Sequence, residues 1–225
     1  MIYNSYEGSR HIMDSENSEF LNSLLRKLSK INYIKPGDVP NIDLYMDQVT
    51  TFMDDHLTDV KRYADDKILT KTMINNYTKN NLLPPPVKKK YSKDHIYMLA
   101  FIYYFKSLLS ISDIQKLLTP LTENFFGNHE EPSLDAIYKE IYRLEKSQLS
   151  NISKDVFTQF KLSEEAFTNI ENKDEQHFMQ LFTFVSLLSF DVYMKKNIIE
   201  NIIDELSPKQ DTNVKKEAEK ENASK

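Results

Sequence analysis

The sequence contains no cysteine and only three glycines among 225 residues. Without cysteine the chain can form neither a disulfide nor a thiolate-ligated metal site, and it suits a reducing compartment. Tight turns between strands commonly use glycine, so its scarcity, together with long apolar-periodic segments, favours an all-α chain. The N-terminus lacks a basic region followed by an apolar core, and we therefore expect a cytoplasmic protein.

The sequence also lacks a long uninterrupted apolar run and any recognisable catalytic motif. The longest weakly charged run, His177 to Phe190, is shorter than the roughly 20 residues that cross a membrane, so it predicts a buried helix. The five histidines have no metal-ligand spacing, and there is neither a glycine-rich phosphate loop nor a Gly-x-Ser-x-Gly motif. We therefore expect a protein that is not an enzyme and needs no metal or cofactor.

Acidic residues are missing from one basic stretch of an otherwise acidic chain. The formal net charge is -5, yet seven lysines and no Asp or Glu lie between Lys67 and Lys93. Such a basic island indicates a localised contact with a polyanion such as nucleic acid. A solvated lysine-rich surface loop is the alternative that charge alone leaves open.

The basic stretch begins with a short predicted helix. Thr70 is a plausible N-cap for a helix from Lys71 to about Asn80, and Met73, Ile74 and Tyr77 form its apolar stripe. Amide, hydroxyl and lysine side chains share another side of this helix: Thr72, Asn75, Asn76 and Lys79. Asn can pair with adenine in the major groove and Lys can reach guanine or phosphate, although a plain amphipathic helix would also have a polar face.

Prolines and helix caps determine the predicted structure after this helix. The "LLPPPV" sequence cannot continue a helix, so the chain should leave as an extended arm that carries Lys88, Lys89 and Lys90. Ser92 can cap the next helix, which is apolar on several sides and should be sandwiched between neighbours. Ser110 should start a short helix that stops before Pro120.

This combination of caps, prolines and apolar spacing resembles the DNA-binding domain of MerR-type regulators, in which a recognition helix ends in Leu-Leu-Pro-Pro before a basic wing. The matching residues are Ile74, Tyr77, Leu82–Pro85, Tyr91–Ser92, Ile96, Leu99, Phe101–Ile102, Ser110–Ile111, Ile114 and Leu117–Leu118. More closely, the stretch from Ile42 to Leu118 resembles the bacterial family called domain of unknown function 1836. The resemblance implies a MerR-like winged helix-turn-helix with a short basic wing, whose first helix would be Ile42 to Leu57.

The chain departs from the MerR pattern where Asn75 and Asn76 replace the usual Arg-Tyr, and where lysines replace the glycine and arginines of the wing. Phosphate contacts would then come from lysines, which act as point charges rather than as planar forks.

Helical patterns flank this domain on both sides. Ser18 to Ile31 should form a helix before it, and Ser133 should cap a helix to about Gln148, with Leu134, Ile137, Tyr138, Ile141 and Leu144 buried. Further helices should cover Lys154 to Phe167 and Asp174 to Leu206. The predicted organisation is an irregular segment and helix (1–39), the helix-turn-helix domain (40–120), a helical dimerisation or effector region (121–206) and a disordered charged tail (207–225).

These patterns predict a DNA-binding transcriptional regulator that acts as a homodimer on double-stranded DNA. The groove-facing residues would be Thr72, Asn75, Asn76 and Lys79, and the phosphate-facing residues would be Lys71, Lys88, Lys89, Lys90 and Lys93. The alternative is a non-catalytic protein-interaction module on the same fold, with the lysine arm meeting an acidic partner.

Overall fold

A computed structural model describes residues 19–27, 34–63, 65–128 and 130–206. The described residues are mostly helical, as predicted, with one small sheet that the sequence analysis missed. The α-helices are α1 (19–27), α2 (Met46–His56), α3 (Lys71–Lys79), α4 (Lys93–Phe105), α5 (Ile111–Phe125), α6 (Leu134–Glu164) and α7 (Lys173–Leu206). The strands are β1 (Leu44–Tyr45) and β2 (Lys90–Tyr91), and 3-10 turns cover Pro36–Asp38 and Thr58–Val60.

Helix α4 lies at the centre of the larger hydrophobic core. All eight residues from His95 to Ile102 are buried, because the helix is apolar around most of its circumference. The expectation that this helix is sandwiched between packed neighbours is confirmed. Its start after Ser92 is also as predicted.

The two strands pair antiparallel, with Leu44 opposite Tyr91 and Tyr45 opposite Lys90. The all-α prediction is therefore corrected, because the fold also contains this two-stranded sheet. The helix predicted from Ile42 begins only at Met46, after β1. Strands of two residues are too short to produce an alternating pattern, so periodicity could not reveal them.

Helix α5 continues through Pro120 to Phe125, which corrects the prediction that it stops before the proline. Pro120 cannot donate a backbone hydrogen bond within the helix, a cost of about 3 kcal/mol. The helix continues because Leu117, Leu121 and Phe125 pack against the core on both sides of the proline.

Helix α6 is a single helix of 31 residues, where two separate helices were predicted. Ser133 caps it as expected, since its Oγ accepts the Ala136 N–H at 3.3 Å. Leu134 and Tyr138 are buried as predicted, but Leu144 is exposed. No glycine or proline interrupts the helix. Within it, the Ser153 hydroxyl donates a hydrogen bond to the Leu149 carbonyl at 2.9 Å.

The first turns of α6 pack into the larger core and contact Ile34 there. The Tyr138 hydroxyl donates to the Ile34 carbonyl at 2.7 Å in a buried bond, and the Tyr138 ring stacks on Tyr97 with centroids 4.2 Å apart. This core also includes Ile203 from the far end of α7, so its residues run across the predicted boundary at residue 120.

A second, smaller core joins α1 to the far half of α6 and to α7 through Leu21, Phe160 and Phe184. The helix predicted from Ser18 to Ile31 is observed over residues 19–27, and Ser18 and residues 28–31 lie outside the described residues. The predicted irregular N-terminus and the predicted disordered tail also lie outside them.

Helix α7 is only partly buried, which corrects the prediction of a buried helix from His177 to Phe190. Phe184 is buried in the smaller core, but Phe178, Phe182 and Val185 are each more than half exposed.

Candidate nucleic-acid interface

Helix α3 is anchored by its apolar stripe. Ile74 and Tyr77 are buried against the core. Thr70 is the N-cap as predicted, because its Oγ1 accepts the Met73 N–H at 3.2 Å. The orientation of the helix is therefore fixed by one buried face and one capped end.

Four polar residues on the outer side of this helix, which we call the α3 stripe, are all exposed: Thr72, Asn75, Asn76 and Lys79. None of them forms a side-chain hydrogen bond or ion pair with another residue that the structure describes. The first turn of α3 contains no acidic residue, whereas those of α2, α4, α5, α6 and α7 each do. The partial positive charge of this helix start is therefore not offset by a carboxylate from its own turn.

Helix α3 ends before the prolines rather than because of them. Asn81 adopts the left-handed conformation with φ 55°. Its N–H donates to the Thr78 carbonyl at 3.2 Å, and the Leu82 N–H donates to the Tyr77 carbonyl at 2.9 Å. This is a Schellman motif, in which Asn takes the place that Gly most often fills. The motif buries Leu82 and directs the chain toward the prolines.

The predicted extended lysine arm is instead a tight turn from Val87 to Lys90, which we call the lysine turn. The Val87 N–H donates to the Lys90 carbonyl at 3.1 Å, and the Lys90 N–H donates to the Val87 carbonyl at 3.0 Å. Lys88 and Lys89 between them have positive φ angles of 50° and 63°. Two central residues with positive φ define a type I′ hairpin turn.

Lysine is an unfavourable residue for both central positions. Type I′ turns prefer Asn-Gly, because a side chain in the left-handed region costs roughly 1–2 kcal/mol. Lys88 and Lys89 are nevertheless exposed, and neither forms an ion pair with any residue in the described ranges. Local strain retained at a position without a packing role often accompanies function.

The start of α3 and the lysine turn each contact the junction between β1 and α2. Lys90 lies over the Tyr45 ring at 5.3 Å, and Tyr45 pairs with Lys90 across the sheet. Two residues further along, Asp47 forms an ion pair with Lys71 at the first position of α3. Tyr45 and Asp47 therefore hold the two basic elements beside the same junction.

Lys93 differs from the other candidate lysines because it is held by an internal network. Its Nζ lies 2.8 Å from Asp135 Oδ1 and 3.1 Å from Asn41 Oδ1. Burial raises the pKa of Asp135, but hydrogen bonds from Lys139, Lys93 and Tyr97 outweigh it and hold that pKa well below its usual range. Lys93 is thus placed where it stabilises the start of α6.

His95 is a residue that the sequence analysis did not single out. The Ser92 N–H donates to His95 Nδ1 at 2.9 Å, so His95 takes the role that Glu or Gln has in a capping box. Its ring is buried edge-on against Tyr91 at 5.3 Å and Phe126 at 4.8 Å. The Ser-x-x-His spacing from Ser92 to His95 at a helix start could have indicated this capping role from the sequence. Burial lowers the pKa of His95, although the carbonyls of Pro84 and Pro85 and the carboxylates of Asp94 and Asp43 oppose this shift.

Two further findings concern metal binding and membrane spans. Among the described residues, no group of three His, Asp or Glu side chains could hold a metal ion. No helix that these residues form combines the length and apolar character needed to cross a membrane.

Taken together, these elements define a mostly helical domain that displays a basic turn beside a short polar helix. Residues 34–141, just under half of the chain, match the model of a protein family described as domain of unknown function, DUF1836. The match supports the family assignment that the sequence resemblance indicated and extends it on both sides of Ile42–Leu118. No curated protein and no solved structure matches the chain significantly.

The two ends of the matched segment meet in the structure. The segment starts at Ile34 and ends at Ile141, and the Tyr138–Ile34 hydrogen bond joins its two ends. The first two turns of α6 therefore lie within the matched segment, and Ile203 of α7, which lies beyond it, is buried in the same core.

Proposed function

We propose that the protein is a non-catalytic DNA-binding regulator with a MerR-like winged helix-turn-helix. Helices α2 and α3 would form the helix-turn-helix, and the lysine turn would be the wing. The observation that carries the proposal is the junction at Tyr45 and Asp47, which holds the start of α3 and the root of the lysine turn side by side. A basic helix start and a basic turn at one point of an acidic chain suit a duplex backbone.

The candidate residues divide into two roles under this proposal. The α3 stripe would enter the major groove, where Asn75 and Asn76 could read adenine and Lys79 guanine or phosphate. Lys71, Lys88, Lys89, Lys90 and Lys93 would contact phosphates. Lys71 and Lys93 would exchange their ion pairs with Asp47 and Asp135 for a phosphate oxygen. The strain at Lys88 and Lys89 fits this role, because the turn projects two ammonium groups away from the fold.

The test is fluorescence anisotropy of a labelled random-sequence duplex at low and moderate salt. Wild-type binding should weaken steeply with added salt, because neutralised phosphates release counterions. The double variant Lys88→Asn/Lys89→Gly should bind more weakly, with a salt slope smaller by about 2. This pair of residues suits a type I′ turn, so the variant removes two charges without disturbing the turn.

Two controls distinguish the possible outcomes. Lys154→Asn, an exposed lysine change on α6 far along the chain, should leave duplex binding unchanged. A labelled polyglutamate peptide tests the alternative of an acidic protein partner, since it offers negative charge without a duplex. Absence of duplex binding at low salt would overturn the proposal, and tighter binding to polyglutamate than to DNA would favour the protein-interaction alternative.

A further inference from the structure

A cavity lies between the chain that connects α2 to α3 and the C-terminal end of α4. Its volume is about 440 Å³, within the range of small-molecule binding sites. Its walls combine apolar and aromatic side chains with three lysines: Ile68, Tyr103, Tyr104, Lys61, Lys67 and Lys106. None of these residues is among the proposed DNA contacts, and all lie outside the predicted dimerisation or effector region at 121–206.

Lys106 is a half-buried cation at this cavity without a carboxylate partner. Its Nζ donates to the Ile68 carbonyl at 3.0 Å and lies over the Tyr103 ring, 4.6 Å from the centroid. No Asp or Glu in the described part of the chain forms an ion pair with it, and burial lowers the pKa of Lys106. Because a partly desolvated ammonium is stabilised by an adjacent negative charge, this side chain suits an anionic ligand.

Two further charged groups at the cavity are already engaged within the fold. Lys61 Nζ lies 2.7 Å from Asp54 Oδ1. Asp66 Oδ2 accepts the backbone N–H groups of Arg62 and Tyr63 at 3.2 and 3.0 Å. The Asp66 carboxylate is therefore satisfied by backbone donors, and it leaves the half-buried lysine without a counter-ion.

Tyr103 offers a second donor to an anion, and Lys67 offers a second positive charge. Burial and the carboxylate of Asp66 raise the pKa of Tyr103, so its hydroxyl remains a donor at neutral pH. That hydroxyl makes no hydrogen bond with a residue that the structure describes. Lys67 is exposed and forms no ion pair within the described ranges. The charge that the cavity presents to a ligand is therefore positive.

The remaining walls favour a ligand with a flat apolar body. Tyr103 and Tyr104 meet edge to face with centroids 5.4 Å apart, and Val60 and Ile68 add apolar surface. Aromatic ligands pack well on such side chains. One ammonium and one hydroxyl match the two oxygens of a carboxylate, whereas a phosphate dianion would add a second negative charge beside Asp66.

We propose that this cavity binds a small aromatic carboxylate, with Lys106 and Tyr103 holding the carboxylate and Tyr104 packing against the ring. Ile68 lies two residues before the Thr70 cap, so a bound carboxylate would bridge α4 to the segment that leads into α3. The site uses no contact of the α3 stripe or the lysine turn, and it therefore stands or falls independently of the proposed DNA binding.

The test is a fluorine NMR titration of the full chain with 4-fluorobenzoate and with its neutral isostere 4-fluorobenzamide. The carboxylate should bind with a dissociation constant in the low millimolar range, as expected for a ligand of about ten heavy atoms. The amide should bind about tenfold more weakly. Lys106→Met keeps the apolar stem but removes the ammonium, and it should weaken carboxylate binding about tenfold. Lys154→Met, an exposed change on α6, should leave it unchanged.

Two further variants and a labelling experiment locate the site. Tyr103→Phe retains the ring but removes the hydroxyl, and should weaken carboxylate binding about threefold. Lys88→Asn/Lys89→Gly should leave it unchanged, which separates the cavity from the lysine turn. Acetylation of the wild type, read out by peptide mapping, should be slowed by near-saturating 4-fluorobenzoate at Lys106 but not at Lys154.

Four outcomes would overturn the proposal. They are absence of carboxylate binding at tens of millimolar, equal affinity for the carboxylate and the amide, binding that a folded Lys106→Met variant retains in full, and equal protection of Lys106 and Lys154 from acetylation. Circular dichroism verifies that each variant is folded. If Lys106→Met does not fold, the acetylation of the wild type decides, because it needs no substitution.

Discussion

His95 connects three parts of the segment from residue 34 to residue 141 through one buried ring. It caps the start of α4 through Ser92, packs on Tyr91 of β2 and contacts Phe126 beyond α5. Its Nε2 atom is buried and makes no hydrogen bond of acceptable geometry to a described residue, although the carbonyls of Pro84 and Pro85 favour the protonated ring. A neutral ring therefore suits this position better than a charged one.

The buried ring makes the stability of the protein depend on pH. Because burial lowers the pKa of His95 below its ordinary value, the unfolded chain takes up this proton at a higher pH than the folded chain. The free energy of unfolding should be fully maintained above about pH 6.5 and fall below it, by at most about 1.4 kcal/mol per pH unit. Urea unfolding at pH 7.5 and 5.5 measures this difference.

His95→Gln should flatten the pH dependence between these two values, because Gln keeps a capping acceptor but does not titrate. His177→Gln changes an exposed histidine and should leave the wild-type difference in place. Wild-type stability that is equal at the two pH values would contradict the assignment to His95.

At the scale of elements, the sequence predicted helix starts more accurately than helix ends and strands. Thr70, Ser110 and Ser133 were predicted caps, and each accepts a backbone N–H from its own first turn. Capping depends on residues three positions apart, so a local stretch of sequence is enough to predict it. The β1–β2 pair joins Leu44 to Tyr91, and no local pattern encodes such a distant pairing.

The lysine turn illustrates the same limit within the candidate interface. The sequence identified its lysines and the prolines before it, but Lys88 and Lys89 give no sign that their φ angles are positive. Asn-Gly would have indicated the turn, and lysines do not. Exposure of the α3 stripe was correctly expected because Ile74 and Tyr77 fixed its opposite face.

Pro120 offers a test of how packing overrides local preference. It is exposed and lies inside α5, where it leaves the Lys116 carbonyl without the usual helical donor. Pro120→Ala should raise the free energy of unfolding by about 1–2 kcal/mol, since part of the helical gain is offset by the greater freedom of the unfolded chain. Thermal and urea unfolding measure the change. Glu123→Ala, an exposed change in the same helix, should shift it by less than about 0.5 kcal/mol, and a destabilising Pro120→Ala would contradict the argument.

At the scale of the whole molecule, the segment that matches the family is closed by a contact between its ends. Tyr138 reaches from α6 to Ile34, so the hydroxyl joins residues 104 positions apart. Tyr138→Phe should lower the free energy of unfolding by about 1–2 kcal/mol, because the buried Ile34 carbonyl loses its donor. Urea unfolding tests this, and the exposed change Tyr63→Phe should have little effect. Equal stability of the Tyr138→Phe variant and the wild type would mean that this hydroxyl does not hold the segment together.

Helix α6 belongs to two parts of the molecule at once. Its first turns complete the family segment, and its later turns pack with α7 and α1. It is continuous over 31 residues, so it is about 46 Å long. Inserting one residue beyond Ile141 would turn the far end by about 100° relative to the family segment, whereas inserting seven would return it nearly to its original phase. The phase of α6 is therefore coupled to the packing of α7, because Ile199 and Ile203 near the end of α7 also contact the larger core directly.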